Sequence, residues 1–194
     1  MRADYIKSEY MGHLLAALME ENRLACEVSL ASGLRIGDVL SLKARDLPEG
    51  DETRFSVRES KTGKLKRVRL PVALLDDLRA ISGKIYVFEA RSDYRHHRTR
   101  QAVYKDIKRA AKLFRLPERA QVSPHSLRKI YAVGAMRKYG DLRKVQKLLN
   151  HDSEAVTQIY ALADILTERR LGAEVAPRQG GGGSAGSCRA KITQ

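Results

Sequence analysis

Cysteine is scarce, with two in 194 residues. Cys26 falls within an apolar helical pattern and Cys188 in a Gly-rich tail, a placement that excludes a disulfide framework and suits a reducing compartment. There is no CxxC pair and no HExxH, so neither a structural nor a catalytic zinc is expected. Long apolar runs are absent as well: no stretch reaches the roughly 18 residues a membrane helix needs, and no charged, apolar, small-residue leader opens the chain. A soluble, cytoplasmic protein with no membrane partner is the expectation. Acidic side chains are also in deficit, 23 against 37 Lys and Arg, for a net charge of +14. Such a surplus makes a polyanion the default partner, and nucleic acid the foremost one.

What is present suits one domain with a tail. A hydrophobic fraction of 43% is enough for a sizeable core, and no internal repeat is visible. From Ser8, the apolar residues Met11, Leu14, Leu15, Leu18 and Met19 recur at helical spacing, with Ser8 as N-cap. A second helix runs through Leu24, Val28 and Leu30 to a break at Ser32-Gly33. A short third carries Leu34, Arg35, Val39, Leu40 and Leu42. Residues 53–59 alternate apolar and polar, KTGK supplies a turn and residues 65–70 are extended and basic, which predicts a β-hairpin with Lys61 at its bend. Residues 71–81 return to helical spacing, 84–88 read as a short strand, 91–98 as a loop and 99–114 as a basic amphipathic helix. Three further helices are expected at 124–139, 141–149 and 153–171, the first opened by Ser123-Pro124. Beyond residue 172 the composition turns to Gly, Ser and charge, which buries nothing and predicts a flexible tail over 173–194.

Six polar residues stand out against this scaffold: Arg35, Lys61, His125, Arg128, His151 and Tyr160. Taken singly, each has an ordinary reading as a solvated face, a turn residue or a packing ring. Together they read differently. Arg35 sits in ASGLRIGDVLSL, where apolar flanks hold a guanidinium inside a core-like segment, and a buried guanidinium needs anions. Asp38, one turn on, is placed to orient it, and a phosphate would suit its remaining donors. In SPHSLRK, His125 and Arg128 share one helical face near a helix N-terminus, which also favours an anion.

SGLRIGDVLSL, SKTGK, PHSLRK and LLNHDSEAVTQIY occur in an order that resembles the catalytic domain of the tyrosine recombinases, the phage-integrase family, over roughly residues 1–170. The resemblance implies an α+β fold, mainly helical with a small antiparallel hairpin, filling residues 1–172. It implies that Arg35 and Arg128 clamp the scissile phosphate and that Lys61 is the acid for the departing 5′-oxygen. It further implies that His125 assists proton transfer, His151 hydrogen-bonds the phosphate and Tyr160 attacks phosphorus to give a 3′-phosphotyrosine. The family's partners follow: double-stranded DNA, a tetramer of protomers on it, no cofactor or metal, and no small-molecule substrate. Lys64, Lys66, Arg67, Arg95 and Arg98, from the basic runs KTGKLKRVR and RSDYRHHRTR, are expected to hold the flanking duplex. Tyr131 and Tyr139 are expected to pack.

Two departures are visible. Asn150 stands where the family has Gly, a substitution that a left-handed turn accommodates better than most. Only a short lead precedes the first helix, so an N-terminal core-binding domain is expected to be absent, whether removed or never present. The competing readings are a non-catalytic DNA-binding module and a strand transferase of the type IB topoisomerase or telomere resolvase kind, which use a similar residue set.

Overall fold

The computed structural model describes residues 8–114 and 122–149. His151, Tyr160 and the expected helix over 153–171 lie outside the described residues, as does the expected tail.

Helix α1 (Ser8–Ala16) buries Met11 and Leu14, and Leu18 follows just beyond it. It ends short of Met19, the last residue the spacing had placed in the pattern, because the Met19 backbone N–H is captured by Asp106 Oδ2 at 2.9 Å. Helix α2 (Glu20–Ser32) follows and lies at the centre of the fold, against α1, α3, α4, α5 and α6. Leu24, Ala25, Cys26 and Val28 are fully enclosed there, and burial pushes the Cys26 thiol up to about 12, with Asp106 and Glu27 adding to the rise, which leaves it unreactive. Gly33 stops α2 in a left-handed conformation (φ 67°), and the short α3 (Ile36–Leu40) starts three residues on.

Strands β1 (Arg54–Arg58) and β2 (Leu65–Arg69) form the expected hairpin, in a register that pairs Phe55 with Val68 and Val57 with Lys66. Strand alternation puts Val57, Lys66, Val68 and Leu70 on the buried side. After α4 (Val72–Ile81), the strand expected over 84–88 does not form. Instead there are two isolated bridges, Lys43 to Tyr86 and Glu89 to His97. Val87 and Phe88 are consecutive and both buried, which a strand pointing alternate residues to opposite faces does not allow at one sheet surface, so the chain turns there.

Helix α5 (Arg100–Leu113) is capped by the Thr99 hydroxyl, which accepts from the Ala102 N–H at 3.1 Å. Helix α6 (Pro124–Tyr139) has Pro124 in its first turn, and α7 (Leu142–Leu149) is opened by Asp141, whose carboxylate accepts from Arg143 N–H at 2.8 Å. One core unites α1 to α5, the hairpin and Leu127 at the start of α6. A smaller cluster of Ala132, Ala135, Val145 and Leu149 joins α6 to α7. Two helices from separate stretches of sequence, α2 and α6, thereby meet side by side. Among the described residues no helix is long and apolar enough to cross a membrane.

Candidate active site

The α2–α6 contact brings Arg128 to the end of α2. Its guanidinium donates to the Gly33 carbonyl at 2.7 Å and to the Leu149 carbonyl, so one side chain ties the C-termini of α2 and α7 together. Such a fork of donors reaching two carbonyls is open to Arg and not to Lys. Gly33 is required here twice over: its φ is positive, and a Cβ on it would lie 2.4 Å from the Tyr131 ring. Gly33→Ala should lose more than the roughly 1–2 kcal/mol that left-handed strain alone costs, a difference readable in urea unfolding.

Between Arg128 and Arg35 stands a residue that the sequence reading missed. Glu59 follows β1 directly and is completely buried. Its Oε2 lies 3.2 Å from Arg35 Nη1 and its Oε1 lies 3.7 Å from Arg128 Nη1. Thr62 Oγ1 donates to Oε2 at 3.0 Å. The signal was present, since Glu59 shares the inward phase of the strand with Val57, but a carboxylate beside KTGK reads as hairpin surface until its partners are known.

Asp38 has a different principal task from the one its spacing suggested. Arg35 Nη1 is 4.0 Å from Asp38 Oδ2, whereas Asp38 Oδ1 accepts from the Ser60 hydroxyl at 2.6 Å and the Ser60 N–H at 2.9 Å. The buried carboxylate therefore pins the end of the hairpin to α3, next to Lys61. Lys61 is itself exposed, in a turn closed by Gly63 N–H to Glu59 O at 2.8 Å and Glu59 N–H to Lys64 O at 3.0 Å.

His125 lies on the first turn of α6, exposed, one turn before Arg128. Partial desolvation, with the positive charges of Arg128, Arg100, Lys129 and Arg35, holds its pKa below the ordinary 6.5. The imidazole is thus neutral near pH 7 and able to accept a proton. Arg100 is a further basic residue that the sequence reading passed over; its side chain lies against Gly37 in α3.

Of the five basic residues expected along a duplex, Lys64, Arg67 and Arg95 are exposed. Arg98 is corrected: it is buried, its Nε donating to Asn22 Oδ1 at 2.7 Å and its Nη1 lying 3.5 Å from Glu21 Oε1. Asn22 in turn donates to Asp106 at 2.7 Å, so Arg98 belongs to a network that locks α2 to α5. Lys66 is corrected too, for it faces inward, with its ammonium 5.6 Å from the centroid of the Tyr131 ring. Burial foremost, then the Arg128 charge, lowers its pKa to about 8. Tyr131 is half-buried between Gly33 and Lys66, and desolvation holds its phenol above the usual 10.0. Tyr139 is exposed under Lys144. Among the described residues no three His, Cys, Asp or Glu side chains are grouped to hold a metal ion.

Two guanidiniums on either side of a buried carboxylate, with a neutral imidazole one turn from one of them, make a cluster of cationic donors of a kind that suits an oxyanion. The chain is similar to known proteins along most of its length. The phage integrase family model matches residues 5–165. A tyrosine recombinase XerC of Nitrobacter winogradskyi is 35% identical over 150 residues, 72% of this chain and 44% of that protein. The crystal structure of the XerA recombinase superposes with a TM-score of 0.65 at 26% identity, over 88% of this chain and 66% of that one. A lambda integrase dimer bound to a COC' core site has the same fold, with a TM-score of 0.67 at 21% identity, over 83% of this chain and 60% of that one. The chain spans about half the length of the curated relatives it matches.

Proposed function

The chain belongs to the phage integrase family, and from that premise we propose that it is the strand-cutting part of a site-specific DNA recombinase, serving integration or excision of a mobile element. The observation that carries the proposal is the convergence of Arg35 and Arg128 on one buried carboxylate, beside a hairpin anchored so that Lys61 stands at its tip. In the proposed reaction the Tyr160 hydroxyl attacks the scissile phosphorus and the bond to the 5′-oxygen breaks. His125 takes the phenolic proton, Lys61 supplies one to the departing oxygen, and the 3′-phosphate is left esterified to Tyr160. Arg35, Arg128 and His151 bear the charge that grows on the non-bridging oxygens. Rejoining runs the same steps backwards from a 5′-hydroxyl. The ester conserves the energy of the broken bond, so ATP is not consumed.

The partner is double-stranded DNA, held on the flanks by Lys64, Arg67 and Arg95, and four protomers on two duplexes form the working assembly. The protein would act where that DNA is, in the cytoplasm of a bacterial, archaeal or phage-infected cell. The test is covalent trapping: the protein and nicked duplexes carrying the element's ends are incubated in EDTA, then separated under denaturing conditions. A protein–DNA adduct whose digest maps to Tyr160 is expected. DNA binding with no adduct on any nicked duplex would identify a binding module instead, and relaxation of supercoiled DNA of any sequence a topoisomerase.

The pH dependence of trapping follows from His125. Its neutral form is the proton acceptor and its pKa lies below that of a free imidazole, so cleavage should persist into mildly acidic buffer and fall only below pH 6.5. Single-turnover rates between pH 5 and 8 check this. In His125→Asn, the acidic limb should disappear along with most of the rate.

A further inference from the structure

The inward face of the hairpin carries one residue that the fold does not call for. Lys66 occupies a core position on β2, opposite Val57 and two residues before Val68, and is 7% exposed. A polar residue at a core-phased strand position works against packing, and such violations concentrate at functional sites. Its ammonium is enclosed and has no hydrogen-bond acceptor among the described residues. The Tyr131 ring at 5.6 Å offers a weak substitute.

Among the described residues, the groups that act on Lys66 are Arg35 and Asp38 from the α3 segment, Glu59 from the end of β1, and Arg128 with the Tyr131 ring from α6. Two guanidiniums match two carboxylates in formal charge, so the ammonium of Lys66 is the surplus. Burying an uncompensated ammonium is costly. One further monoanion would balance the cluster, and a phosphodiester linkage is a monoanion.

We propose that Lys66 is a third cation of the phosphate clamp, placed from beneath to bind a non-bridging oxygen of the same phosphate that Arg35 and Arg128 hold. The inference rests on the recombinase reading above for the identity of the phosphate, though not for the binding of an anion. It is a role apart from that of Lys61, which is exposed at the hairpin tip and would serve the leaving oxygen. Because the ammonium loses its proton at about pH 8, the clamp weakens on the alkaline side, in the opposite sense to the His125 limb.

The tests use Lys66→Met, which keeps the unbranched stem without the charged end, and Lys66→Arg, which stays charged. Without anion at pH 7, Lys66→Met should melt above the wild type, since it removes a buried, unsatisfied charge. The extra rise in melting temperature that inorganic phosphate gives the wild type, relative to chloride at matched ionic strength, should vanish in this variant. On nicked duplexes, adduct formation by Lys66→Met should fall by about tenfold to a hundredfold. The fall should be equal with a 5′-oxygen and with a 5′-sulfur leaving group, because a thiolate needs no acid. Lys66→Arg should retain cleavage above pH 8, where the wild type declines.

An undiminished phosphate response in Lys66→Met would overturn the proposal. So would a lower melting temperature with full cleavage, which would mark the residue as structural. Rescue of Lys66→Met by the sulfur substrate would reassign it as the leaving-group acid. The phosphate response needs neither Tyr160 nor DNA. If it depends on Lys66 while the wild type forms no adduct, the recombinase reading fails and the anion site stands. A wild-type adduct that Lys66→Met forms at an equal rate removes only the lysine.

Discussion

Tyr160→Phe should form no covalent adduct with DNA while binding the same duplexes with unchanged affinity and unchanged dependence on salt. Loss of one hydroxyl removes the nucleophile and nothing that the basic surface uses, because affinity for a duplex comes from Lys and Arg neutralising phosphates. The expected fall in cleavage is complete within the assay, on the order of 10⁴-fold or more, since the phenol oxygen is what supplies the attacking electron pair to phosphorus. The two tyrosines of α6 are poor replacements. Tyr131 is half-buried with its pKa held above the usual value, and Tyr139 is turned outward under Lys144. A denaturing gel and a salt titration of binding on the same preparation check both halves. An adduct persisting in Tyr160→Phe would move the chemistry to another residue.

The two arginines should separate catalysis from folding. Arg35→Ala and Arg128→Ala are each expected to slow adduct formation by about 10² to 10³, the loss usual when one fixed donor to a developing oxyanion is removed. Their stabilities should differ. Arg35 keeps 24% of its side chain exposed, and its Nη1 pairs with Glu59 at 3.2 Å without a hydrogen bond. Its removal should cost less than that of Arg128, because Glu59 keeps Arg128 and the Thr62 hydroxyl as partners and no backbone carbonyl loses a donor. Arg128 is 8% exposed, pairs with Glu59 on the other side and spans the Gly33 and Leu149 carbonyls. Taking it away leaves a buried carboxylate with Arg35 as its one guanidinium partner and removes a charged donor from two carbonyls, a loss of roughly 3–5 kcal/mol. That is a large part of the 5–15 kcal/mol that a domain of this kind possesses. Arg128→Lys should recover little, because an ammonium cannot reach both carbonyls. Adding Glu59→Gln to Arg128→Ala should restore part of the stability and none of the cleavage. Urea unfolding beside single-turnover trapping reads both quantities, and equal destabilisation by the two Arg variants would refute the division.

Much of the fold was legible in local pattern. The helices, the hairpin with Lys61 at its bend and the break at Gly33 follow from the 3.6- and 2-residue periods, from caps and from glycine, all of which act over a few residues. Errors fell where a distant partner intervened. The end of α1 is fixed by Asp106, which lies 87 residues away in sequence, and the segment at 84–88 takes its shape from backbone bonds to residues 42–44.

The site divides in the same way. Arg35, Lys61, His125 and Arg128 could be named from the sequence because each sits in a short stretch that resembles the family's, in the family's order. His151 and Tyr160 were named in the same manner and lie outside the described residues. Glu59 was missed there, and Lys66 and Arg98 were misassigned, for one reason. A charged side chain in a basic, polar run looks solvated until the packing decides which way it points. Strand phase turns Glu59 and Lys66 inward, and the meeting of α2 with α6 then encloses them with Arg35 and Arg128. The sequence by itself determined which chemical groups this protein carries and the local elements that hold them, because those depend on neighbours along the chain. Only the tertiary structure decided which charges lose their water and which ones they face, because desolvation and Coulomb energy depend on distance through space.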